Sequence, residues 1–223
     1  MVHRPSTLYR LGATGLALAA TSVGGCALAA VIGGAAQSYH MTGSTTFPAD
    51  YDGLEGKTFA VYVNADRVVQ ADHPNLIARV AGLVNGALAE NADGSAYIPT
   101  QTMLSAQFNN PHWILMPPAE LAEELGVERL VMIEIVDYRL SDAGNAYLWD
   151  GLAEARVEVY EADGPFPDEP SYDQIIDVRF PDVPGVLREE VPEDVVTSEL
   201  SRRLTDRLSW LFFEHDEPNA IKY

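Results

Sequence analysis

The alternation of apolar and charged residues over positions 147–161 constrains the fold of this chain more than any other stretch. Trp149, Ala153, Ala155, Val157 and Val159 fall on odd positions, and Asp150, Glu154, Arg156 and Glu158 fall on even positions. Strict alternation buries one face of a strand and leaves the other in water, as antiparallel sheets do. Residues 174–180 repeat the pattern. We therefore expect strands of a half-buried antiparallel sheet.

The other hydrophobic patterns add strands and helices to this sheet. Residues 57–64 and 127–140 are rich in β-branched and aromatic side chains, which favours strands. Apolar residues at helical spacing predict helices that begin at His73-Pro74, over 100–108, over 117–126 and over 193–214. The last helix has a core stripe of Val196, Leu200, Leu204, Leu208, Leu211 and Phe212, and we expect Arg202, Arg203, Asp206 and Arg207 to face out.

The amino terminus has the three parts of an export signal. Arg4 and Arg10 precede a run of Leu, Ala, Gly and Thr, and the small residues Gly24 and Gly25 follow. Residues 23–26, Val-Gly-Gly-Cys, resemble the lipobox of bacterial lipoproteins, and Cys26 is the one cysteine in the chain. The resemblance implies cleavage of a signal peptide over 1–25, diacylglycerol on the Cys26 sulfur and acylation of the new amino terminus.

An uncleaved membrane helix is the alternative at this end of the chain. Residues 11–36 are long enough to span a bilayer, which needs roughly 20 apolar residues. Most of them are Ala and Gly, which anchor poorly in hydrocarbon. Both readings place the remainder outside the cytoplasm, and the sequence does not say which membrane or leaflet holds the anchor. Ala27 is not Asp, so nothing resembles the inner-membrane retention signal.

Composition sets the expected domain plan. Residues 26–53 form a lipidated, flexible tether, residues 54–215 a single α/β domain, and residues 216–223 a tail. The formal net charge is −19, and removal of residues 1–25 takes away two arginines and no acid, which leaves −21. Such a surface repels phosphate backbones, so we expect no nucleic-acid partner. With Cys26 lipidated there is no disulfide, and the fold depends on its core.

The order of elements resembles a group of envelope proteins. Residues 59–63 (Phe-Ala-Val-Tyr-Val) and 119–127 (Ala-Glu-Leu-Ala-Glu-Glu-Leu-Gly-Val) are similar to the periplasmic domains of LpoB, CsgG and amino-terminal TolB. This resemblance implies an α/β (α+β) fold with a single mixed, largely antiparallel sheet packed with helices. It also implies protein binding or envelope scaffolding. The connections here are too short and acidic for CsgG-type pore hairpins.

The sequence carries no catalytic motif that we recognise. Gly-x-Ser-x-Gly, a Gly-rich phosphate loop and His-Glu-x-x-His are absent, and a lipidated Cys26 cannot act as a nucleophile. One conceivable acid pair is Asp137 and Asp150, which would face each other across a turn at 141–145. Glu134 is a further acid of interest. His73 lacks a ligand partner at i+3 or i+4. We expect no enzyme, cofactor or metal.

The segment 109–113 is the candidate partner surface. Asn109, Asn110, His112 and Trp113 bring polar groups and an aromatic ring together. The alternative is a turn pinned by a buried Trp113.

The sequence thus predicts a membrane-anchored envelope lipoprotein that binds another protein. The alternatives are an extracytoplasmic hydrolase with the Asp137/Asp150 pair and a transmembrane-anchored domain. The partner and the oligomeric state stay open.

Overall fold

A computed structural model describes residues 43–221 of the chain. The predicted signal peptide, Cys26, the apolar run over 11–36 and most of the predicted tether lie outside these residues. Contacts divide the chain into two units, which we describe separately. The larger contains residues 46–216, and the described part of the smaller comprises 43–45 and 217–221. No helix over 43–221 is both long and apolar enough to cross a membrane.

The described residues form strands and helices in mixed order. They are β1 (Ser44–Phe47), β2 (Thr58–Ala65), α1 (Arg67–Asp72), α2 (Leu76–Asn91), β3 (Ala96–Tyr97), α3 (Thr100–Asn109), a 3-10 helix (Pro111–Leu115), α4 (Pro118–Leu125), β4 (Arg129–Arg139), β5 (Gly151–Glu161), β6 (Tyr172–Phe180), α5 (Glu193–Trp210) and β7 (His215–Pro218). β1 pairs with β7 in a separate two-stranded sheet.

The main sheet has five strands in the order β3-β2-β4-β5-β6. β2 runs parallel to both β3 and β4, while β4–β5 and β5–β6 are antiparallel. The predicted fold class, a single mixed sheet packed with helices, is confirmed. The alternation that predicted β5 is also confirmed, because its odd-numbered apolar residues are buried. These are Ala153, Ala155, Val157 and Val159.

One face of the sheet, the inner face, packs against α2 and α5. The six residues predicted as the core stripe of the last helix are all buried. Leu200, Leu204 and Leu208 are fully buried in one cluster with Val157 of β5. Burial of a leucine side chain contributes about 2 kcal/mol, so this stripe holds α5 on the sheet.

The opposite, outer face is covered only in part. A second cluster joins Ala60 and Tyr62 of β2 to Met103 of α3 and Leu121 of α4. Beyond it, outer-face side chains of β4, β5 and β6 are exposed to solvent, and Ile175 is 61% exposed. We call this uncovered part the open face. It comprises Glu134, Val136, Asp137, Glu154, Arg156, Asp173, Ile175, Asp177 and Arg179, of which Asp137 and Glu154 are half-buried and the rest exposed.

Three features differ from the sequence expectations. The short helix α1 was not predicted; its first turn is capped by the Asp66 side chain, which accepts from the Val68 amide at 2.8 Å. Ordered structure begins before residue 54, because β1 lies in the predicted tether and Tyr51 is buried in the core. β7 extends into the predicted tail, to Pro218.

The prediction that Arg203 faces out is wrong. Its side chain is only 2% exposed and pairs with both oxygens of Asp182 at 2.6 and 2.8 Å. It also donates to Glu199 at 2.8 Å and to the carbonyl of Arg179 at 2.9 Å. Burial of a guanidinium is tolerated here because its donors meet carboxylate and carbonyl oxygens.

Candidate functional site

The predicted partner surface lies where α3 passes into the 3-10 helix. Asn109 and His112 are exposed, and Asn110 donates to the sulfur of Met116 at 3.7 Å. The Trp113 ring is half-buried and packs against Tyr62, with ring centroids 3.7 Å apart. Trp113 therefore anchors the segment on β2, while its neighbours face solvent. Partner binding by these residues stays a prediction.

Large apolar side chains surround this segment, and the sequence reasoning missed them. Phe108 is 87% exposed, Ile114 57% and Leu115 80%. An exposed apolar group of this kind often marks a contact surface. The apolar run Trp-Ile-Leu-Met between Pro111 and Pro117 was the available signal in the sequence.

A pocket of about 190 Å³ lies between the 3-10 helix and the open face. Its floor comes from neighbouring strands, because Asn64 is in register with Glu134 and Glu134 with Arg156. The lining combines apolar and charged groups: Tyr62, Asn64, Trp113, Ile114, Met132, Ile133, Glu134, Arg156 and Glu158. It suits a side chain with an apolar stem and a polar end.

Tyr62, which lines this pocket, carries a buried hydroxyl group. Its oxygen has no hydrogen bond partner among the described residues. Burial raises the pKa of Tyr62, and the nearby Gln107 amide opposes that shift. The Gln107 amide nitrogen itself donates to the carbonyl of Val63 at 3.1 Å. The Tyr62 hydroxyl is thus buried without a hydrogen-bond partner among the described residues, which is a desolvation cost to the fold.

Acidic residues dominate the centre of the open face. The strand register places Asp137 beside Glu154, and Glu154 beside Asp177, so three carboxylates form a row across β4, β5 and β6. Asp137 pairs with Arg139. Like charges directly opposite each other on neighbouring strands are destabilising. The row therefore favours contact with positive charge.

Arg156 is the positive group at the centre of this face. It donates to both oxygens of Asp173, at 2.9 and 2.6 Å, and also lies 3.2 Å from Glu158. Its guanidinium lowers the pKa of Asp173. Arg156 is thus occupied by acids of its own sheet, and Glu134, its register partner on β4, remains exposed at the pocket.

Asp137 and Asp150, the conceivable acid pair of the hydrolase alternative, are not brought together. β4 bulges between Ile135 and Asp137, which sets Asp137 opposite Glu154. Asp150 precedes β5, and its amide donates to the carbonyl of Leu140 at 3.1 Å. The two carboxylates therefore do not face each other, and the hydrolase alternative loses the geometry on which it depended.

His73 occupies the entry of α2, where its ring meets Tyr138 edge to face at 4.7 Å. Over 43–221, no group of three or more His, Cys, Asp or Glu residues is placed to hold a metal ion.

Comparisons with known proteins give weak likenesses. No protein-family model matches the sequence, and no curated protein sequence matches it. A lipoprotein from Neisseria meningitidis is similar in structure, with 11% identity, a TM-score of 0.44, and coverage of 67% of this chain and 96% of that one. The PelC dodecamer from Paraburkholderia phytofirmans gives 10% identity, a TM-score of 0.44, and 76% and 99% coverage.

The carboxy-terminal domain of LpoB from Salmonella enterica is similar over 56% of this chain and 83% of its own length, with 13% identity and a TM-score of 0.35. Identities and TM-scores this low transfer neither function nor partners to the present chain.

Proposed function

We propose that this chain is a lipid-anchored accessory protein of the bacterial cell envelope, held to its membrane through acylated Cys26. Its domain binds another envelope protein and catalyses no reaction. The binding surface consists of Asn109, Asn110, His112 and Trp113 with the adjoining pocket and open face.

The anchor part of the proposal is supported by the export signal and the lipobox. Several acyl chains on one residue give stable membrane attachment, whereas one chain binds only marginally. The residues after Cys26 provide a spacer between the bilayer and the folded domain. An uncleaved membrane helix over 11–36 would give the same placement and is separated from the lipoprotein by the experiment below.

The incomplete cover of the outer sheet face carries the binding part of the proposal. Ile114 lines the pocket, Phe108 and Leu115 are exposed apolar side chains near it in the sequence, and the acidic row lies on the strands that form the pocket floor and on β6. Interfaces combine an apolar core with a polar rim. Charge complementarity predicts a partner segment with apolar and basic side chains.

A photo-reactive amino acid at Ile114 in the full-length protein tests this surface in living cells. Leu83, which is 49% exposed on α2 behind the inner face, is the matched control position. We expect one envelope protein to crosslink from Ile114 and not from Leu83, and the Cys26→Ser variant to lose it. Equal crosslinking from both positions, or none from Ile114, contradicts the proposed surface.

Mass spectrometry of the amino-terminal peptide tests the anchor in the same samples. We expect a diacylated Cys26 as the first residue. An unmodified Cys26 on an intact amino terminus contradicts the lipoprotein and supports the membrane helix.

A further inference from the structure

The second edge of the main sheet is a long, regular strand with no neighbour among the described residues. β6 ends the strand order and pairs with β5 in nine consecutive register pairs without a bulge. Pro170 and Pro181 stand outside the strand, and none lies within it. Bulges, prolines, charged side chains and short length are the usual protections of an edge, and of these β6 has only the charges of Asp173, Asp177 and Arg179. The opposite edge, β3, has only two residues.

The side chains of β6 on the open face carry a charge pattern that favours one register of pairing with a further strand. Asp173, Ile175, Asp177 and Arg179 lie on the open face, and all four are exposed. Asp173 and Arg179 stand three residues either side of Ile176, the midpoint of the strand. No hydrogen bond or ion pair of the Arg179 guanidinium occurs within 43–221, although its carbonyl accepts from Arg203.

We propose that β6 pairs antiparallel with β6 of a second copy of this chain, about a two-fold axis at Ile176. Residues opposite each other in an antiparallel pair share a face, so this register sets Asp173 opposite Arg179 of the second copy, twice per dimer. It also sets Ile175 opposite Asp177, brings the two Ile175 side chains together diagonally, and uses the full strand. The product is one continuous ten-stranded sheet.

Neighbouring registers are less favourable. A two-fold axis at Ile175 would place Asp173 of one copy opposite Asp177 of the other. An axis at Asp177 would place the two Asp177 side chains opposite each other. Like charges directly opposite are destabilising. An axis at Val178 opposes Asp177 with Arg179 but leaves only five residues of each strand paired, since β6 ends at Phe180. The Ile176 register alone combines full overlap with opposite charges.

The dimer leaves the pocket beside Trp113 free, because it uses the edge of β6 and not the outer face of β2. The two proposals share the β6 side chains of the open face, and their tests differ: the dimer is measured by self-association, the partner protein by crosslinking from Ile114.

Two charge variants of the full-length protein, each with its own tag, test the pairing in membranes. In a dimer of the Arg179→Asp variant, Asp173 of each copy faces an aspartate at position 179 of the other. In a dimer of the Asp173→Arg variant, Arg179 of each copy faces an arginine at position 173 of the other. We expect each variant alone to lose self-association by about tenfold or more, because two attractions become repulsions. Asp173→Arg also loses the pair with Arg156 in its own chain, so recovery of the mixed dimer is the decisive result. Mixed together, the two variants restore both opposite-charge pairs, so we expect the mixed dimer to recover.

Arg67→Asp is the matched control, since Arg67 is an exposed arginine on α1, away from β6. Thermal unfolding of every variant tests whether its fold is intact. Self-association of Arg179→Asp at the wild-type level, a monomeric wild-type protein, or a mixture that fails to recover each overturns the proposal.

Disulfide crosslinking fixes the register. Opposed residues of an antiparallel pair lie within disulfide distance. We expect a copy with Ile175→Cys to crosslink with a copy carrying Asp177→Cys more readily than two Asp177→Cys copies crosslink with each other. The wild-type chain, whose one cysteine is Cys26, serves as the control for any crosslink formed through Cys26. Stronger crosslinking between two Asp177→Cys copies overturns the Ile176 axis.

Discussion

Two buried tyrosines show how differently one side-chain type is used in this domain. The Tyr51 hydroxyl donates to Glu161 at 2.9 Å, and burial together with that carboxylate raises the pKa of Tyr51 to about 12. The Tyr62 hydroxyl is just as well excluded from water but has no such acceptor. The first hydroxyl contributes to stability, whereas the second costs desolvation with no hydrogen bond in return.

Removal of each hydroxyl should therefore have opposite effects. We expect Tyr62→Phe to leave the free energy of unfolding unchanged or raise it by up to about 1 kcal/mol, and Tyr51→Phe to lower it by about 1 kcal/mol. Urea unfolding followed by circular dichroism measures both. A loss of stability in Tyr62→Phe equal to that in Tyr51→Phe would show that the Tyr62 hydroxyl is bonded in solution.

Glu154 lies between two other carboxylates, Asp137 and Asp177. We expect Glu154→Gln to raise the free energy of unfolding by about 0.5 kcal/mol, because it removes like-charge opposition on neighbouring strands. Glu169→Gln, an exposed change in the loop before β6, removes the same charge elsewhere and serves as the control. An equal gain in both variants would mean that only net charge matters.

Two kinds of contact hold α5 in place: its leucine stripe packs on the sheet, and its buried Arg203 forms an ion pair with Asp182. Loss of one partner from a buried ion pair is costly because the other charge stays desolvated. We expect Arg203→Ala to lower the free energy of unfolding by about 3 kcal/mol. Its neighbour Arg202 is 41% exposed, and we expect Arg202→Ala to cost under about 1 kcal/mol. Comparable losses in the two variants would contradict this view of Arg203.

The same pairs make α5 sensitive to acid. Hydrogen bonds from Arg202 and Arg203 lower the pKa of Glu199 from 4.5 to about 2. A depressed pKa in the folded state gives stability that is present above about pH 4.5 and is lost as the pH falls towards 2. We expect Glu199→Gln to flatten the dependence of stability on pH in that window. An acid-unfolding profile unchanged from wild type would contradict the assignment.

Elements with a strong period were predictable, and those set by tertiary contacts were not. The alternation of β5 and the leucine stripe of α5 identify their buried faces directly. The six-residue helix α1 was missed because one capped turn leaves no period to detect. Arg203 was predicted to face solvent because it is charged and follows Arg202 in the helix. Its guanidinium is instead buried in an ion pair with Asp182, in the loop after β6, which the sequence pattern does not show.

The candidate site was predictable only in its location. Trp113 and its polar neighbours were visible in the sequence as a convergence of residue types. The exposure of Ile114 and Leu115 was not, because it depends on how much of the outer face α3 and α4 cover. The Asp137/Asp150 pair failed because the connection between β4 and β5 is longer than the predicted turn, which leaves Asp150 outside β5 and sets Asp137 opposite Glu154.

The whole molecule is expected to be membrane-bound although its domain is strongly acidic. An acidic surface is repelled by anionic headgroups, so the proposed attachment would depend on the lipid and not on the domain. We expect the wild-type chain to stay in the membrane pellet through high-salt and carbonate washes. We expect Cys26→Ser to lose its acyl groups in metabolic labelling with a palmitate analogue. Undiminished labelling of Cys26→Ser would place the lipid elsewhere.

The attachment of Tyr51 has a mechanical consequence. The amides of Asp50 and Tyr51 both donate to the carbonyl of Leu211, at 2.9 and 2.8 Å, and the Tyr51 hydroxyl ties the same point to β5. A pull on the chain from its amino-terminal side would meet the β1–β7 pairing first and these bonds next, before it reached β2. The end of α5 and the end of β5 would then share the load. We expect β2 to carry tension only after the bonds of Asp50 and Tyr51 have broken.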